Sequence, residues 1–561
     1  MEETMSYKII LLLICFFILA ACGRTEENEY PEYTDYTEND IDTLCEVQPE
    51  YSQYSWSLAI APTFDFVTDF HDGLASVLIG DWEDGHWGII DTEGNFVIEP
   101  IYNQLGNFHI FSAVERAMSV SGESRSFEFF PLQLGENWGV LNRNGNEIIP
   151  FIYSEIVILN NDLARIVTGT WENNDKLYGL INLRTGEKIV PPMYNAINFP
   201  SQGLMEVRVG DWISGLSGFI DESGTKVIPA IYHFAHGFEH NMAVVGFGSD
   251  WSTARWGVID REGREIIPAN YHGIRIFSEN AIALSHGDWS EGPWSLVDRN
   301  GNEILPPLYT VLAYVSDELI LLSRELWDDE PTFGLTNFVT GEEIIPRGTF
   351  SSIHAHMNTE AYDHLITVIV GWHPDQLSGV IDASTGQIVI DAIYHQTFVL
   401  NSDMIGVRHR GDWYEDWNLY LGGRWGIINR TGQEIAPMEF ASVMPFGTDL
   451  AVIATGDIPE FWDPTESKRG IINSNGDLVL PLEYTHIDML SEGLAVVNIG
   501  GEWLSWGGGG IEVSGGRWGF IKESGDIVIP VNIEFEMIRA VSENMAAVRQ
   551  DGRWGFIRIN R

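Results

Sequence analysis

The residues with the clearest chemical potential are six tryptophans that open loops between repeated segments of the chain. Four of them end the tripeptide Gly-Asp-Trp, and the other two end Gly-Thr-Trp and Gly-Glu-Trp. The loops behind them differ in length, and variable loops on a repeated scaffold tend to carry binding residues. A row of aromatic rings suits a glycan or a peptide. The candidate ligand-binding residues are therefore Trp82, Trp171, Trp212, Trp289, Trp413 and Trp503.

A structural role is the alternative for these six residues, which we call the loop tryptophans. In that interpretation each ring folds back over its own strand pair and stabilises the fold instead of binding a ligand. The two interpretations differ in the effect of alanine. A ring that serves binding is removed at little cost to stability, whereas a ring that serves packing is not.

Motifs for metal binding and catalysis are weak. The segment "HGFEH", from His236 to His240, matches the inverted zincin pattern, but that chemistry needs a helix that holds both histidines on one face. Here the segment overlies a repeated phrase, with Phe238 at the position of Phe277. Turns such as "DREG" lack the dense carboxylates of a calcium loop. The sequence has no G-x-S-x-G, Walker loop or C-x-x-C motif, so we expect no metal, no cofactor and no enzymatic activity.

The N-terminal segment carries one further chemical group, the thiol of Cys22. A lysine and an apolar run from Ile9 to Ala21 precede it, and the length of this run is typical of a signal peptide. The ending Leu-Ala-Ala-Cys resembles the bacterial lipobox, which implies that Cys22 is lipidated and becomes the mature N-terminus. An ordinary secretory signal with a chance cysteine is the alternative. We expect a signal peptide at 1–21 and an acidic disordered tether at 22–56.

Composition limits the partners. The chain has 81 Asp and Glu against 31 Lys and Arg, a formal charge of −50. Such a surface repels phosphate backbones and anionic headgroups, so we expect no nucleic acid partner and no membrane contact beyond the lipid anchor. Apolar residues make up 44% of the chain, which is typical of folded proteins. Its 561 residues are too many for one hydrophobic core.

A repeated phrase of about seventeen residues must position these groups. It reads x-W-G-[IVF]-I-[DN]-x-x-G-x-x-[IV]-[IV]-P-x-x-Y, and its copies are 36 to 51 residues apart, with a cluster of spacings near 39. The motif glycine recurs at Gly88, Gly139, Gly179, Gly218, Gly257, Gly334, Gly379, Gly426, Gly470, Gly519 and Gly555, and Ser295 fills one slot.

The physics of one copy indicates a β-hairpin. "WGVID" alternates and is β-branched, which favours a strand. "DREG" and "NRNG" place Asp or Asn first and Gly fourth, which predicts a type I turn that closes on a left-handed glycine with a bulge. "REIIP" is the return strand, and its proline ends the hydrogen-bonding ladder. A short connector and another strand follow, so each unit has three or four strands and must stack on its neighbours.

Tandem copies of this phrase over residues 57–561 resemble the WG-repeat family of bacterial β-repeat proteins. The resemblance implies an all-β array of about 11–12 units, each of about 40 residues, and it supplies no catalytic residues. We expect propeller-like stacking in possibly two subdomains, with an open β-superhelix or solenoid as the alternative. Individual units replace the motif tryptophan with Tyr178, Phe333, Arg469 or one of two serines.

The motif tryptophans are expected to be structural, because a large ring can fill each interface between units. The glycine that follows each of them lets another backbone approach closely. The predicted structural residues are Trp87, Trp138, Trp256, Trp425, Trp518 and Trp554.

Location and architecture together indicate a lipid-anchored, extracytoplasmic protein of the cell membrane or outer membrane. The favoured function is a binding scaffold that contacts an envelope protein or a cell-wall glycan. A purely structural spacer is one alternative. A hydrolytic enzyme with carboxylates at a repeat junction is the other.

Overall fold

The described part of the chain is entirely β-structure. The computed structural model describes residues 54–106, 128–173, 175–211, 213–287, 292–316, 318–323, 333–354, 364–371, 376–409, 412–414, 419–421, 423–456, 467–505 and 511–561. These residues form twelve four-stranded antiparallel sheets and two two-stranded ones. In these ranges no helix has the length and apolar character needed to cross a membrane. The predicted all-β fold of short antiparallel strands is confirmed.

The first part of the array consists of one leading strand and seven sheets. In chain order the strands are β1 (Ser55–Phe64); β2 (Phe66–Val67), β3 (Leu74–Ile79), β4 (His86–Asp91), β5 (Phe96–Tyr102); β6 (Gln104–Leu105), β7 (Phe129–Leu134), β8 (Asn137–Asn142), β9 (Glu147–Tyr153); β10 (Glu155–Ile158), β11 (Leu163–Thr168), β12 (Leu177–Asn182), β13 (Lys188–Tyr194); β14 (Ala196–Ile197), β15 (Leu204–Val209), β16 (Leu216–Asp221), β17 (Lys226–Tyr232); β18 (Phe234–Ala235), β19 (Met242–Phe247), β20 (Arg255–Asp260), β21 (Glu265–Tyr271); β22 (Gly273–Ser278), β23 (Ala281–Ser285), β24 (Trp294–Val297), β25 (Glu303–Tyr309); β26 (Val311–Tyr314), β27 (Leu319–Ser323), β28 (Phe333–Asn337) and β29 (Glu342–Phe350).

The remaining strands follow the same plan with two additions. They are β30 (Ser352–His354), β31 (Leu365–Val370), β32 (Leu377–Asp382), β33 (Ile388–Tyr394); β34 (Gln396–Val399), β35 (Ile405–Arg408), β36 (Asp412–Tyr414), β37 (Leu419–Leu421), β38 (Trp425–Ile428), β39 (Glu434–Phe440); β40 (Ser442–Phe446), β41 (Leu450–Ala454), β42 (Arg469–Asn473), β43 (Leu478–Tyr484); β44 (His486–Ile487), β45 (Leu494–Ile499), β46 (Glu502–Ser505), β47 (Ile511–Ser514), β48 (Arg517–Lys522), β49 (Ile527–Ile533); β50 (Met537–Ser542), β51 (Met545–Gln550) and β52 (Arg553–Asn560). The pairs β36–β37 and β46–β47 are extra hairpins between a second and a third strand.

Most four-stranded sheets begin just after the tyrosine or phenylalanine that ends the repeated phrase, not at the Trp-Gly pair. The segment read as a short connector contains the first strand, which is only two residues long in β2 and in β14. The Trp-Gly phrase forms the third strand, and the proline-bearing phrase forms the fourth. The sequence unit is therefore shifted relative to the structural unit.

The turn between the third and fourth strands has the predicted geometry. Gly94 adopts a φ of 83° and Gly263 a φ of 78°, a left-handed region that suits glycine. The amide of Gly94 donates to the carbonyl of Asp91 at 3.0 Å. The Asp91 carboxylate accepts the amide of Asn95 at 2.8 Å, so the first residue of the turn holds the residue that directly follows the turn.

The motif glycine lies beneath an irregularity of the fourth strand. In the sheet of β18 to β21, Trp256 is in register with Tyr271 and Val258 with Ile267, so the fourth strand has extra residues between the two pairs. A Cβ on Gly257 would lie 2.7 Å from the carbonyl oxygen of Ile267. The expected close backbone approach is therefore present, and it comes from the hairpin's own bulge.

Two compact units divide the chain. One comprises Thr63–Met357 and Ala383–Gly386, and we call it the 63–357 unit. The described residues of the other fall within Met1–Pro62, Asn358–Asp382 and Gln387–Arg561, and we call it the 387–561 unit. Each has its own series of apolar clusters.

In both units the cores form between sheets that are consecutive in the chain. In the 63–357 unit, one cluster joins Ile89 to Phe130 and another joins Val258 to Leu284. In the 387–561 unit, a cluster joins Phe520 to Val548. Since each sheet contributes to clusters with its neighbours, the stacking is propeller-like within each unit.

The first strand of the described chain completes the last sheet. Strand β1 lies beside β52, and the strand order is β1-β52-β51-β50. A Cβ on Gly555 would lie 2.4 Å from the carbonyl oxygen of Ile60, the same close approach that the motif glycines make elsewhere. Thus β1, as far as Pro62, acts as the fourth strand that the final Trp-Gly segment lacks, in the 387–561 unit.

Candidate functional site

The loop tryptophans follow the second strand of their sheets. Trp82 lies between β3 and β4, and Trp171 between β11 and β12. Their side chains are 70% and 71% exposed. Trp212 and Trp289 lie outside the described residues, in the corresponding connections of two further sheets. Trp82 and Trp171 belong to the 63–357 unit.

An aspartate shapes the Gly-Asp-Trp loop. The Asp81 carboxylate accepts the amides of Glu83 and Asp84 at 3.0 and 2.7 Å, while its carbonyl accepts the amide of Gly85 at 2.8 Å. A Cβ on Gly80 would lie 2.9 Å from the Cα of Gly85, so the loop closes only with glycine at that point. The loop is thus a tight turn of defined shape.

The same arrangement recurs around Asp211. Its carboxylate accepts the amides of Ile213 and Ser214 at 2.8 and 2.7 Å and the hydroxyl of Ser214. These hydrogen bonds, first that of the Ser214 hydroxyl, hold the pKa of Asp211 at about 2. The carboxylate is therefore ionised at neutral pH, and the loop is anionic.

The residue before the first strand fastens the start of the loop. The Asp65 carboxylate accepts the amide of Gly80 at 2.8 Å, and the Asn195 side chain accepts that of Gly210 at 2.8 Å. Thr485 does the same for Gly500 at 3.0 Å. The loop is therefore held at its base by the preceding connection as well as by its own aspartate.

Trp82 projects outward but rests on two other rings. Its ring centroid lies 4.9 Å from that of Phe66 on the first strand and 5.8 Å from that of Trp87 on the third. One side of the indole therefore covers its own sheet, as the structural interpretation expects. The other side remains exposed, as the binding interpretation requires.

Trp171 is supported by a cation instead of a ring. The ammonium of Lys176 lies 4.6 Å from the centroid of the Trp171 ring, and it also pairs with Glu155 at 2.9 Å. A cation over an indole face is attractive. This loop has a different sequence from Gly-Asp-Trp but presents an equally exposed ring.

Sequence reasoning missed a further loop tryptophan, Trp251. It is 52% exposed, and its ring lies 4.4 Å from that of Trp256 and 5.4 Å from that of Phe234. Asp250 accepts the amide of Ser252 at 2.7 Å, as in the other loops. The signal was present, because Trp251 precedes its motif tryptophan by five residues, as Trp82 precedes Trp87.

Two of the six predicted residues belong to strands, which corrects the expectation that all of them open loops. Trp413 lies in β36 and Trp503 in β46, the first strands of the extra hairpins. Trp503 packs partly against the apolar cluster around Val513 and Trp518. His486 and Arg469 also contact its ring, at 5.6 and 5.1 Å.

The predicted structural tryptophans lie on third strands. Trp256 and Trp518 are 3% and 2% exposed, and Trp87 and Trp554 are also buried. Trp138 and Trp425 are partly buried and pack against apolar clusters. Trp256 shares its cluster with Ile274 of the next sheet.

Where a unit lacks the motif tryptophan, other side chains occupy the space. Ser217 is wholly buried; its hydroxyl donates to Glu206 at 2.6 Å and accepts from Arg208 at 3.3 Å. Burial raises the pKa of Glu206, opposed by hydrogen bonds from Ser217 and Asn198. Since Ser217 is inaccessible, we interpret this network as a polar filling of the interface.

The segment "HGFEH" forms a tight turn. The amides of Glu239 and Met242 each donate to the carbonyl of the other residue, and His240 adopts a φ of 52°. His236 stacks on Trp251 at 5.5 Å. Among the described residues no group of His, Cys, Asp and Glu is arranged to hold a metal ion.

Solved structures similar to this chain include the tricorn protease, a puromycin hydrolase and a prolyl endopeptidase. The tricorn protease is 10% identical, with a TM-score of 0.24 over 88% of this chain and 58% of that one. Puromycin hydrolase is 9% identical, with a TM-score of 0.23 over 64% of this chain and 60% of that one. A prolyl endopeptidase is 10% identical, with a TM-score of 0.25 over 64% of this chain and 56% of that one.

The chain thus spans less than two thirds of each of these structures, and at these scores the likeness carries no argument about activity. No curated protein sequence matches the chain.

The sequence matches a family model for the WG containing repeat. The matched residues are 57–81, 87–109, 138–169, 178–211, 218–251, 256–288, 294–321, 425–457, 470–503 and 518–554. These ten segments together cover more than half of the 561 residues, and nine of them begin within the third strand of a sheet. The chain therefore belongs to the family of WG-containing repeat proteins.

Proposed function

We propose that this repeat scaffold is a lipid-anchored, extracytoplasmic binding protein whose loop tryptophans contact an envelope protein or a cell-wall glycan. One observation carries the proposal: Trp82, Trp171 and Trp251 are 70%, 71% and 52% exposed at the same connection of three sheets in one unit. A large ring exposed once needs no explanation, but a repeated one indicates contact with a partner.

The supports beneath these rings favour binding. Trp82 rests on Phe66, Trp251 on Trp256 and Trp171 on Lys176. Because these contacts restrict the rings before a ligand arrives, less conformational entropy is lost on binding. Several weak contacts presented by one scaffold then act together through multivalency.

The anchoring part of the proposal rests on sequence alone. Cys22 and the acidic tether lie outside the described residues. An apolar run that ends in Leu-Ala-Ala-Cys supports lipidation. A lipid on Cys22 followed by an extended, self-repelling tether would hold the array away from a membrane surface.

The binding proposal is tested by co-sedimentation of the mature chain with isolated envelope material. We expect the triple variant Trp82→Ala, Trp171→Ala and Trp251→Ala to remain folded and to lose most of its sedimentation. Trp56→Ala is a matched control, since Trp56 is 37% exposed but lies on β1. Undiminished sedimentation of the folded triple variant would remove these residues from the function.

The anchor is tested by labelling cells with radioactive palmitate. The wild type should incorporate label, and Cys22→Ala should remain unlabelled and unprocessed. Equal labelling of the two proteins would show that Cys22 is not the anchor.

A further inference from the structure

The loop tryptophans are not the only apolar side chains exposed at this end of the sheets. The last residue of the second strand, directly before the loop, is also exposed in four sheets of the 63–357 unit. These residues are Ile79, Leu134, Val209 and Phe247, at 42%, 43%, 50% and 41% exposure. Ile213, inside its loop, is 84% exposed. Each loop is thus accompanied by aliphatic or aromatic surface.

A third apolar position comes from the fourth strand. The residue before the motif tyrosine is exposed in four consecutive sheets: Ile101, Ile152, Met193 and Ile231, at 52%, 59%, 50% and 49%. Since Tyr102 is in register with Trp87, near the start of the third strand, the fourth strand ends close to the loop. All three positions therefore lie toward the same end of each sheet.

The loops that accompany these residues are acidic. Residues 80–85, 135–136, 169–177, 210–215 and 248–254 contain eight Asp or Glu, one Lys and no Arg. The low pKa of Asp211 keeps that residue ionised. An apolar surface set among carboxylates attracts cations and side chains that carry both a cation and a hydrocarbon stem.

A neutral glycan fits this chemistry poorly. A neutral sugar carries no charge that could pair with the loop carboxylates, whereas a basic side chain does. The repeated aliphatic side chains favour contact with apolar side chains of a protein over contact with a polar sugar ring.

We infer that the loop end of the sheets in the 63–357 unit is a protein-docking surface, and that its occupant is a segment rich in both basic and apolar residues. This inference rests on the proposed binding function, and of the two partners proposed there it selects the protein over the glycan. The tryptophans and the aliphatic residues of the second and fourth strands would contact the apolar side chains. The loop carboxylates would pair with the basic ones.

The test measures binding of the mature chain to four defined probes by titration calorimetry. The probes are an amphipathic Lys/Leu peptide, its Glu/Leu counterpart, a Lys/Ser peptide and a neutral β-linked oligosaccharide. We expect only the Lys/Leu peptide to bind well, and its affinity to fall as salt is raised from about 0.1 M to about 1 M, because ions screen exposed charge pairs.

The decisive variants lie on the same two strands. Ile101→Ser with Ile231→Ser should weaken Lys/Leu binding about tenfold or more, since two apolar contacts are lost. Phe96→Ser with Val227→Ser is the matched control, because these residues are 38% and 36% exposed at the other ends of β5 and β17. The control should bind like the wild type.

The outcomes separate the two proposals. Preference for the oligosaccharide or for the Glu/Leu peptide would overturn the docking inference. Equal effects of the two double variants would also overturn it. If no probe binds while envelope sedimentation still depends on the loop tryptophans, this inference fails and the proposed function stands. If that dependence is also absent, both fail.

Discussion

At the residue scale, the glycine of the Trp-Gly pair is held by its own hairpin. The nearest atoms to a Cβ on Gly257 would be the carbonyl oxygen of Ile267 at 2.7 Å and the amide nitrogen of Ala269 at 2.8 Å. Both are backbone atoms and cannot rotate away. The bulge of the fourth strand and the glycine below it therefore require each other.

We predict that Gly257→Ala destabilises its sheet by about 3 kcal/mol, at the upper end for overpacking. Gly432→Ala is the control, because no atom lies within 4 Å of its Cβ position. The backbone φ of +77° is the one source of strain for an alanine there. That change should cost about 1 kcal/mol. Amide hydrogen exchange of the hairpins measures both, and equal losses would contradict the close-approach argument.

Buried charge gives a second prediction at this scale. Burial, with the nearby charge of Arg469, lowers the pKa of His486 from 6.5 to about 3. The folded state therefore keeps this imidazole neutral where the unfolded chain would protonate it. Its stabilising contribution is complete above about pH 6.5 and is lost as the pH falls toward 3.

We expect protection of β44 and β45 against hydrogen exchange to decline as the pH falls from about 6.5, the ordinary value for histidine. In His486→Gln, which cannot titrate, the decline should be smaller. The same pH dependence in both proteins would show that His486 is not the responsible group.

Single residues also mark where sequence reasoning stopped. The periodic phrase predicted the motif tryptophans, but Trp251 escaped because its loop reads Gly-Ser-Asp-Trp and interrupts the searched tripeptide. The sequence reading also overlooked the exposure of Ile101 and Ile231. Each directly precedes a buried tyrosine, so alternation along the strand places it on the opposite, exposed face.

At the element scale, the hairpin of the third and fourth strands was predicted correctly because its signals are local. Alternation and a turn glycine act within seventeen residues. The proline was misread as the end of the ladder, since β21 runs through Pro268 to Tyr271, which is in register with Trp256. The first strand was taken for a connector, since two residues such as Phe66–Val67 carry no detectable period. The hairpins β36–β37 and β46–β47 were also missed, because they interrupt the repeat.

The origin of β1 as a fourth strand was hidden by a small shift in sequence. Ile60 takes the place of Ile267 over the motif glycine, so Pro62 falls at the position of Ala269, one residue beyond the usual proline. The partner segment lies at the far end of the chain, and local patterns do not specify long-range pairing. The strand order shows that the final Trp-Gly segment pairs with β1, the first strand of the described chain.

We predict that deleting Ser55–Pro62 exposes the edge of β52 and reduces protection of β50 to β52, because the outer strand of their sheet is lost. An exposed strand edge also promotes aggregation. A chain that begins at Tyr54 is the control and should behave like the mature protein. Unchanged protection of β52 after the deletion would mean that β1 does not close this sheet.

At the scale of the whole molecule, stability is distributed over interfaces between consecutive sheets. Trp256 shares an apolar cluster with Ile274 and Leu284 of the following sheet, and Trp518 shares one with Val548. Each interface depends mainly on its two sheets, so damage at one should spread little along the array. The phrase recurs along the chain because each sheet needs a neighbouring sheet on which to stack.

We propose that neighbouring tryptophans have different roles: the motif ring stabilises the stack of sheets, and the loop ring contacts a partner. Trp256 and Trp251 test it most directly, since their rings are 4.4 Å apart but 3% and 52% exposed. Hydrogen exchange across residues 218–300 should show a local loss of about 3–5 kcal/mol in Trp256→Ala.

In Trp251→Ala the same measurement should show a smaller loss, about 1–2 kcal/mol, because its three ring contacts lie at a half-exposed site. Equal losses in the two variants, or full protection in Trp256→Ala, would contradict the division of roles on which the account depends.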